Sequence, residues 1–138
     1  MKIMPTRKTI AVITSVPEKA SAIASAFAGE RCNLLILAKQ TDGYDKVVTS
    51  IRRKNKELKP ELHDCMRDGC WEADVIIVDV KKEDEPELAE SIKEVAIQKT
   101  VINISEECDK MLQQLLPHSR VKTLSEIPTS FMNIIEDD

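Results

Sequence analysis

The sequence predicts one α/β domain: a doubly wound, mainly parallel sheet of about six strands with helices on both faces. Three observations carry this prediction. Short β-branched apolar runs recur along the 138 residues, amphipathic stretches with helix-start signals separate them, and the connecting segments are short. Strands that alternate with helices in this way pair in parallel through right-handed crossovers.

The first strand and helix are the clearest elements. Thr9–Thr14 is a β-branched run without polar alternation, which is typical of a strand covered on both faces. A helix is expected to start directly after it, with Ser15 as the cap, Pro17 in the first turn and Glu18 completing a capping box. Gly29 is a stop signal. The apolar stripe of this helix is Ala20, Ile23, Ala24 and Phe27.

The remaining elements continue the alternation. Further strands are predicted at Leu34–Ala38, near Leu62, and at Asp74–Val80, Thr100–Ile104 and Arg120–Leu124. Helical segments are predicted at Asp45–Leu58, which covers a sheet edge and stops before Pro60, at Pro86–Ala96 and at Asp109–Leu116. Around Asp68-Gly69 we expect a loop or a single helical turn, and Lys81–Glu85 is expected to be a solvated exit loop.

Composition excludes several classes of protein. Hydrophobic residues make up 42% and charged residues 32%, so the chain is not disordered, and no apolar run is long enough to cross a membrane. The net charge is −4 and the cations look scattered, so no nucleic-acid partner is expected. The N-terminus carries no cleavage signal, which favours a cytoplasmic location for a single domain over residues 1–138.

The four cysteines form no C-x-x-C pair, so reduced thiols are expected rather than disulfides. His63, Cys65 and Cys70 match no common zinc spacing and have no evident fourth ligand. No metal is therefore predicted.

Three segments carry a family resemblance: Ile10–Phe27, Ala73–Val78, and Arg120–Pro128, whose letters are RVKTLSEIP. In this order they resemble the N-terminal Rossmann domain of deazaflavin-dependent NADP reductases and related small NADP oxidoreductases. The resemblance spans about the whole chain and implies a Rossmann-like fold and an NADP site.

The glycine motif of that family is degenerate here. Ser15, Pro17 and Ala20 stand where the family has G-x-G-x-x-G, and Pro17 removes both an N–H donor and space for the pyrophosphate. Lys39 and Gln40 lie where the family has a basic residue that pairs with the 2′-phosphate of NADP. Alternatively, Lys39 is a solvated lysine at the exit of a strand. The resemblance implies these cofactor-binding residues: Thr14, Ser15, Val16, Pro17, Lys39, Gln40 and Asp79.

Two functions compete at this point. The first is a degenerate module that binds NADP weakly or not at all and acts through protein contacts. The second is an NADP-dependent oxidoreductase subunit with a non-standard phosphate loop and a substrate site completed by a partner chain. Asp79, Asn103 and Ser105 lie near strand ends, but no catalytic residue is identified. A receiver-like or flavodoxin-like domain ranks last, because Thr14 and Ser15 stand where an acidic pair is expected.

The end of the chain carries one further prediction. The relatives' second domain would begin near this point, and an apolar patch lies here that either supports a homodimer or folds back on the sheet. Its residues are Phe131, Met132, Ile134 and Ile135.

Overall fold

Six parallel strands form one sheet in the order β3-β2-β1-β4-β5-β6. The computed structural model describes residues 8–27, 29–38, 42–105 and 111–136. The strands are β1 (Lys8–Thr14), β2 (Cys32–Leu37), β3 (Pro60–His63), β4 (Val75–Asp79), β5 (Thr100–Ile104) and β6 (Arg120–Leu124). The predicted doubly wound parallel sheet is confirmed.

The helices are α1 (Pro17–Ser25), α2 (Tyr44–Lys54), α3 (Met66–Glu72), α4 (Glu85–Ile92), α5 (Met111–Leu115) and α6 (Phe131–Glu136). One face of the sheet packs against apolar side chains of α1, α2 and α6. The other face packs against α3, α4 and α5. Because both faces are covered, the central strands are apolar throughout, which is why β1 and β4 lack polar alternation.

The order of the strands defines where a ligand can sit. The chain passes from one half of the sheet to the other through the connection from β3 to β4. The crossovers that follow the neighbouring strands β1 and β4 therefore leave in opposite directions. Ligands of open α/β sheets bind at such a switch point, outside the carboxyl ends of the strands. The β1–α1 turn, Thr14–Pro17, lies at this point.

Several element boundaries differ from the sequence predictions. The predicted helix 45–58 ends at Lys54, and a 3₁₀ turn follows at Lys56–Leu58. Asn55 breaks the helix because its backbone is extended and its side-chain oxygen accepts the N–H of Glu57. Around Gly69, where a loop or a single helical turn was predicted, the chain forms a seven-residue helix, α3.

The exit loop after β4 is only partly solvated. Lys82–Asp84 forms an exposed 3₁₀ turn, but Glu85 is 2% exposed and accepts the amide of buried Asn103. The helix continues only to Ile92, whereas Val95 and Ala96 are buried in the loop that follows. The solvated interpretation was therefore wrong at Glu85, where a carboxylate faces a polar partner inside the protein.

The C-terminal patch folds back on its own chain. Phe131 is fully buried and stacks on Phe27 with ring centroids 5.1 Å apart. Ile135 is buried, and Met132 and Ile134 pack against the same core. Intramolecular packing thus accounts for these apolar side chains, while the homodimer through this segment stays a prediction.

Candidate functional site

The β1–α1 turn is held by hydrogen bonds to the neighbouring strand and within itself. The backbone N–H of Ser15 donates to the carbonyl of Asp79 at 3.2 Å, which extends the β1–β4 ladder by one residue. The hydroxyl of Thr14 donates to the carbonyl of Val16 at 2.8 Å. These bonds fix the path of the backbone before Pro17, the first residue of α1.

The predicted capping box is absent from this turn. Val16, not Ser15, is the N-cap residue of α1, and no side chain caps the helix. Proline restricts the residue before it to extended backbone, and Val16 has φ −137° and ψ 144°. The helix can therefore begin only at Pro17, one residue too late for Ser15 to act as the cap.

The start of α2 packs directly against this turn. The hydroxyl of Tyr44 donates to the carbonyl of Thr14 at 3.1 Å in a buried hydrogen bond. Gly43 has a left-handed backbone with φ +85°, and a Cβ built there would lie 3.3 Å from Cγ of Pro17. The proline ring thus fills the space between the turn and the residue that precedes α2.

A first cleft of about 570 Å³ opens between this turn, the end of β2 and the start of α4. Its charged rim is mainly acidic, with Asp42, Asp84 and Glu87 against Lys81. The walls include the side chains of Ile13, Ala38, Tyr44, Met66, Val80 and Leu88. Among the described residues that line this cleft, negative side chains outnumber positive ones, which disfavours an approaching phosphate group.

A second cleft of about 380 Å³ lies beyond β4, at the ends of β5 and β6. Here Lys19 of α1 forms an ion pair with Asp79 at 3.0 Å; the carboxylate is 7% exposed and the lysine 50%. Ser105, Ser125 and Lys82 also line this cleft. The buried carboxylate holds the ammonium group of Lys19 at the cleft wall.

The structure places four of the seven predicted cofactor-binding residues in one cleft. Thr14, Ser15, Val16 and Pro17 line the first cleft, whereas the side chain of Asp79 lines the second. Lys39 and Gln40 lie outside the described residues.

The candidate polar residues at the ends of the strands have different roles. Asn103 is fully buried, and its amide donates to Glu85 at 3.4 Å, so it has a structural partner within the protein. Ser105 lines the second cleft, and its backbone N–H donates to Leu124. No group of three or more His, Cys, Asp or Glu side chains suited to a metal was found among the residues the structure describes.

Tyr44 and Lys19 were missed at the sequence level. Their roles could not be predicted because each depends on a partner that is distant in the chain. Tyr44 bonds to Thr14, and Lys19 bonds to Asp79. The one local signal was the position of Lys19 in the first turn of α1, where a cation is unfavourable beside the helix dipole unless it has a carboxylate partner.

The ionisable groups with perturbed pKa values lie at the opposite, amino-terminal edge of the sheet. Burial raises the pKa of the Cys70 thiol to about 12; the positive charge of Lys99 opposes this rise by a smaller amount, and Cys65 adds to it. Burial also lowers the pKa of Lys99, which donates to the carbonyls of Cys70 and Trp71. Neither group lines the two clefts.

Comparison with solved structures defines the fold. A lactate dehydrogenase from Eimeria maxima superposes with a TM-score of 0.68 at 14% identity, covering 90% of this chain and 45% of that chain. A lactate dehydrogenase from Cryptosporidium parvum gives 0.65 at 18% identity, over 83% and 43%. A pyrroline-5-carboxylate reductase from Coxiella burnetii gives 0.69 at 17% identity, over 91% and 47%.

The chain has the Rossmann fold. It spans less than half the length of each of these three dehydrogenase and reductase chains. No protein-family model matches the sequence, and no curated protein matches it. In the described ranges, no helix is both long and apolar enough to span a membrane.

Proposed function

We propose that this chain is a degenerate NADP-oxidoreductase-like Rossmann domain, which binds a dinucleotide weakly or not at all and acts through protein contacts. The observation that carries the proposal is the position of Pro17. It is the first residue of α1, at the place of the second glycine of the dinucleotide motif, and its ring lies against Gly43. The proposal includes a relationship to deazaflavin-dependent reductases and a preference for NADP over NAD.

A dinucleotide needs hydrogen-bond donors and space at this turn. In the Rossmann motif, backbone N–H groups at the helix start point at the pyrophosphate, and glycine lets the backbone approach it closely. Pro17 has no N–H group, and the N–H of Ser15 is already engaged with Asp79. The turn therefore offers a pyrophosphate fewer donors and less room than the motif requires.

The charges around the β1–α1 turn also disfavour binding of a pyrophosphate. The first cleft carries the carboxylates of Asp42, Asp84 and Glu87 on its rim, and Glu18 adds an exposed carboxylate in the first turn of α1. Carboxylates repel the phosphate groups that a helix N-terminus would otherwise attract. The residues present do not fit a pyrophosphate held in the usual way.

A second candidate function is an NADP-dependent oxidoreductase subunit with a non-standard phosphate loop. It is favoured by the second cleft, which is less acidic than the first because Lys19 and Lys82 balance Asp79 and Glu126 beside the ends of the strands. A partner chain would then complete the substrate side. The homodimer through Phe131–Glu136 and a cytoplasmic location remain predictions under either function.

Restoring the turn tests the proposal. The triple variant Ser15→Gly, Pro17→Gly and Glu18→Gln returns one N–H donor, opens space and removes a carboxylate. NADPH affinity measured by calorimetry should rise from undetectable to measurable. The charge change contributes only about 0.3–1 kcal/mol, so most of the gain must come from space and donors.

A matched control separates the turn from general effects on α1. Ser25→Gly with Glu30→Gln makes similar changes at and beyond the other end of this helix and should leave NADPH affinity unchanged. Micromolar NADPH binding by the unmodified chain would contradict the proposal and favour the oxidoreductase subunit.

A further inference from the structure

The charged residues of the chain are segregated between two segments. Residues 44–59, which comprise α2 and the 3₁₀ turn after it, carry six cations and two carboxylates in a chain of net charge −4. Residues 83–94, around α4, carry six carboxylates and one lysine. Six of the chain's 20 Lys and Arg residues thus lie within one segment of 16 residues.

The outer face of α2 carries cations without partners. Lys46 and Arg53 lie seven residues apart, on the side opposite the buried stripe formed by Tyr44, Val48 and Ile51. Both are exposed, and among the residues that the structure describes neither forms an ion pair. We call this surface the basic face.

Four exposed glutamates form a stripe along α4 and the turns before and after it, at helical spacing: Glu83, Glu87, Glu90 and Glu94. Glu87 has an interaction within the chain. Glu90 pairs with Lys93 and Glu94 with Arg67 at the surface, and the side chains of Glu90 and Glu94 are 74% and 68% exposed. Such exposed pairs contribute little and readily exchange partners. We call this surface the acidic face.

The two faces cannot meet within one chain. The buried side of α2 packs on one face of the sheet, and the buried side of α4 packs on the other. The two helices also follow strands in different halves of the sheet, α2 after β2 and α4 after β4. Their charged sides therefore point away from each other on opposite sides of the molecule.

We propose that the basic face of one copy docks on the acidic face of a second copy. Charge complementarity selects this occupant, because the chain itself presents the surface that its unpartnered cations require. The contact joins two different surfaces, so it extends head to tail into a ring or an open chain rather than closing as a two-fold dimer. The inference does not depend on whether a dinucleotide binds.

Charge reversal tests the contact. Lys46→Glu with Arg53→Glu makes the basic face acidic, and Glu83→Lys with Glu90→Lys makes the acidic face basic. Neither pair lines the first or second cleft. Sedimentation velocity at low salt should show the unmodified chain associating, each double variant at least about tenfold more weakly, and their equimolar mixture associating again.

Two controls complete the experiment. Lys8→Glu with Arg120→Glu changes two exposed cations at the amino ends of β1 and β6, so it alters net charge equally and should associate like the unmodified chain. Association should also weaken as salt shortens the screening length from about 30 Å at 0.01 M to about 3 Å at 1 M.

Three results would overturn the proposal: an unmodified chain that stays monomeric at low salt, a double variant that associates as well as the unmodified chain, or a mixture that stays monomeric. If the unmodified chain stays monomeric at low salt, the basic face would require an acidic partner other than this chain.

Discussion

Pro17 explains more of the candidate site than any other residue. It sets the start of α1, holds Val16 in an extended conformation and removes a donor from the helix start. The same ring approaches Gly43, so the backbone and the space of the turn change together. The sequence alone predicts the lost donor, but the contact with Gly43 emerges only from the fold.

Gly69 provides a test of packing at one residue. It lies within α3, where alanine normally stabilises a helix by about 1 kcal/mol relative to glycine. A Cβ here would lie 2.3 Å from Cδ2 of Leu37, which is fully buried. We expect Gly69→Ala to lower the free energy of unfolding by about 1–3 kcal/mol in urea titration.

The neighbouring exposed position serves as the control for Gly69. Asp68→Ala changes the same helix without entering the core, so it should leave the free energy of unfolding within about 0.5 kcal/mol of the unmodified chain. Equal effects of the two substitutions would show that Leu37 does not restrict position 69.

Burial of the Cys70 thiol makes the stability of the chain depend on pH. Its pKa rises from 9.0 to about 12 on folding, so above pH 9 the unfolded chain loses a proton that the folded chain keeps. Stability must then fall as pH rises, by about 1 kcal/mol between pH 8 and 10 from this group. The lowered pKa of Lys99 makes stability rise with pH instead. Lys99 is present both in the unmodified chain and in the Cys70→Ala variant with which it is compared below.

The measurement compares the unmodified chain with Cys70→Ala in urea at pH 8 and pH 10. The variant should lose about 1 kcal/mol less over this interval, whatever its stability at pH 8. Identical pH dependence of the two proteins would contradict burial of a neutral thiol at position 70.

At the scale of elements, strands were predicted more accurately than helices. The predicted bounds of β5 and β6 match the structure. β5 is a fully buried β-branched run, a pattern that indicates a strand clearly, whereas β6 is a partly exposed edge strand. The end of α2 was not predicted, since the Asn55 side chain competes for a backbone N–H. Helix ends depend on such local hydrogen bonds, which helical periodicity does not reveal.

The short helix α6 depends on one aromatic contact. Phe131 stacks on Phe27 and is fully buried, so we expect Phe131→Ala to lower the free energy of unfolding by about 3–5 kcal/mol. Thermal unfolding measures this loss. Asn133→Ala, at an exposed position of the same helix, should have little effect. A small effect at Phe131 would show that α6 contributes little to the core.

At the scale of the whole molecule, topology assembles the clefts. The sequence indicated the β1–α1 turn and Asp79, because the ends of parallel strands meet at one edge of the sheet. It did not indicate that Tyr44 bonds to Thr14, or that Lys19 pairs with Asp79 and so directs its charge to the second cleft. Those contacts join residues 30 and 60 positions apart.

The central claim is that a Rossmann fold has here a turn unsuited to a pyrophosphate. The most direct measurement is a calorimetric titration of the unmodified chain with NADPH, with thermal unfolding of the same samples. A ligand that binds the folded state must raise the unfolding temperature. We predict no saturation at micromolar NADPH and no rise in unfolding temperature. Saturable micromolar binding with a matching rise would contradict the claim.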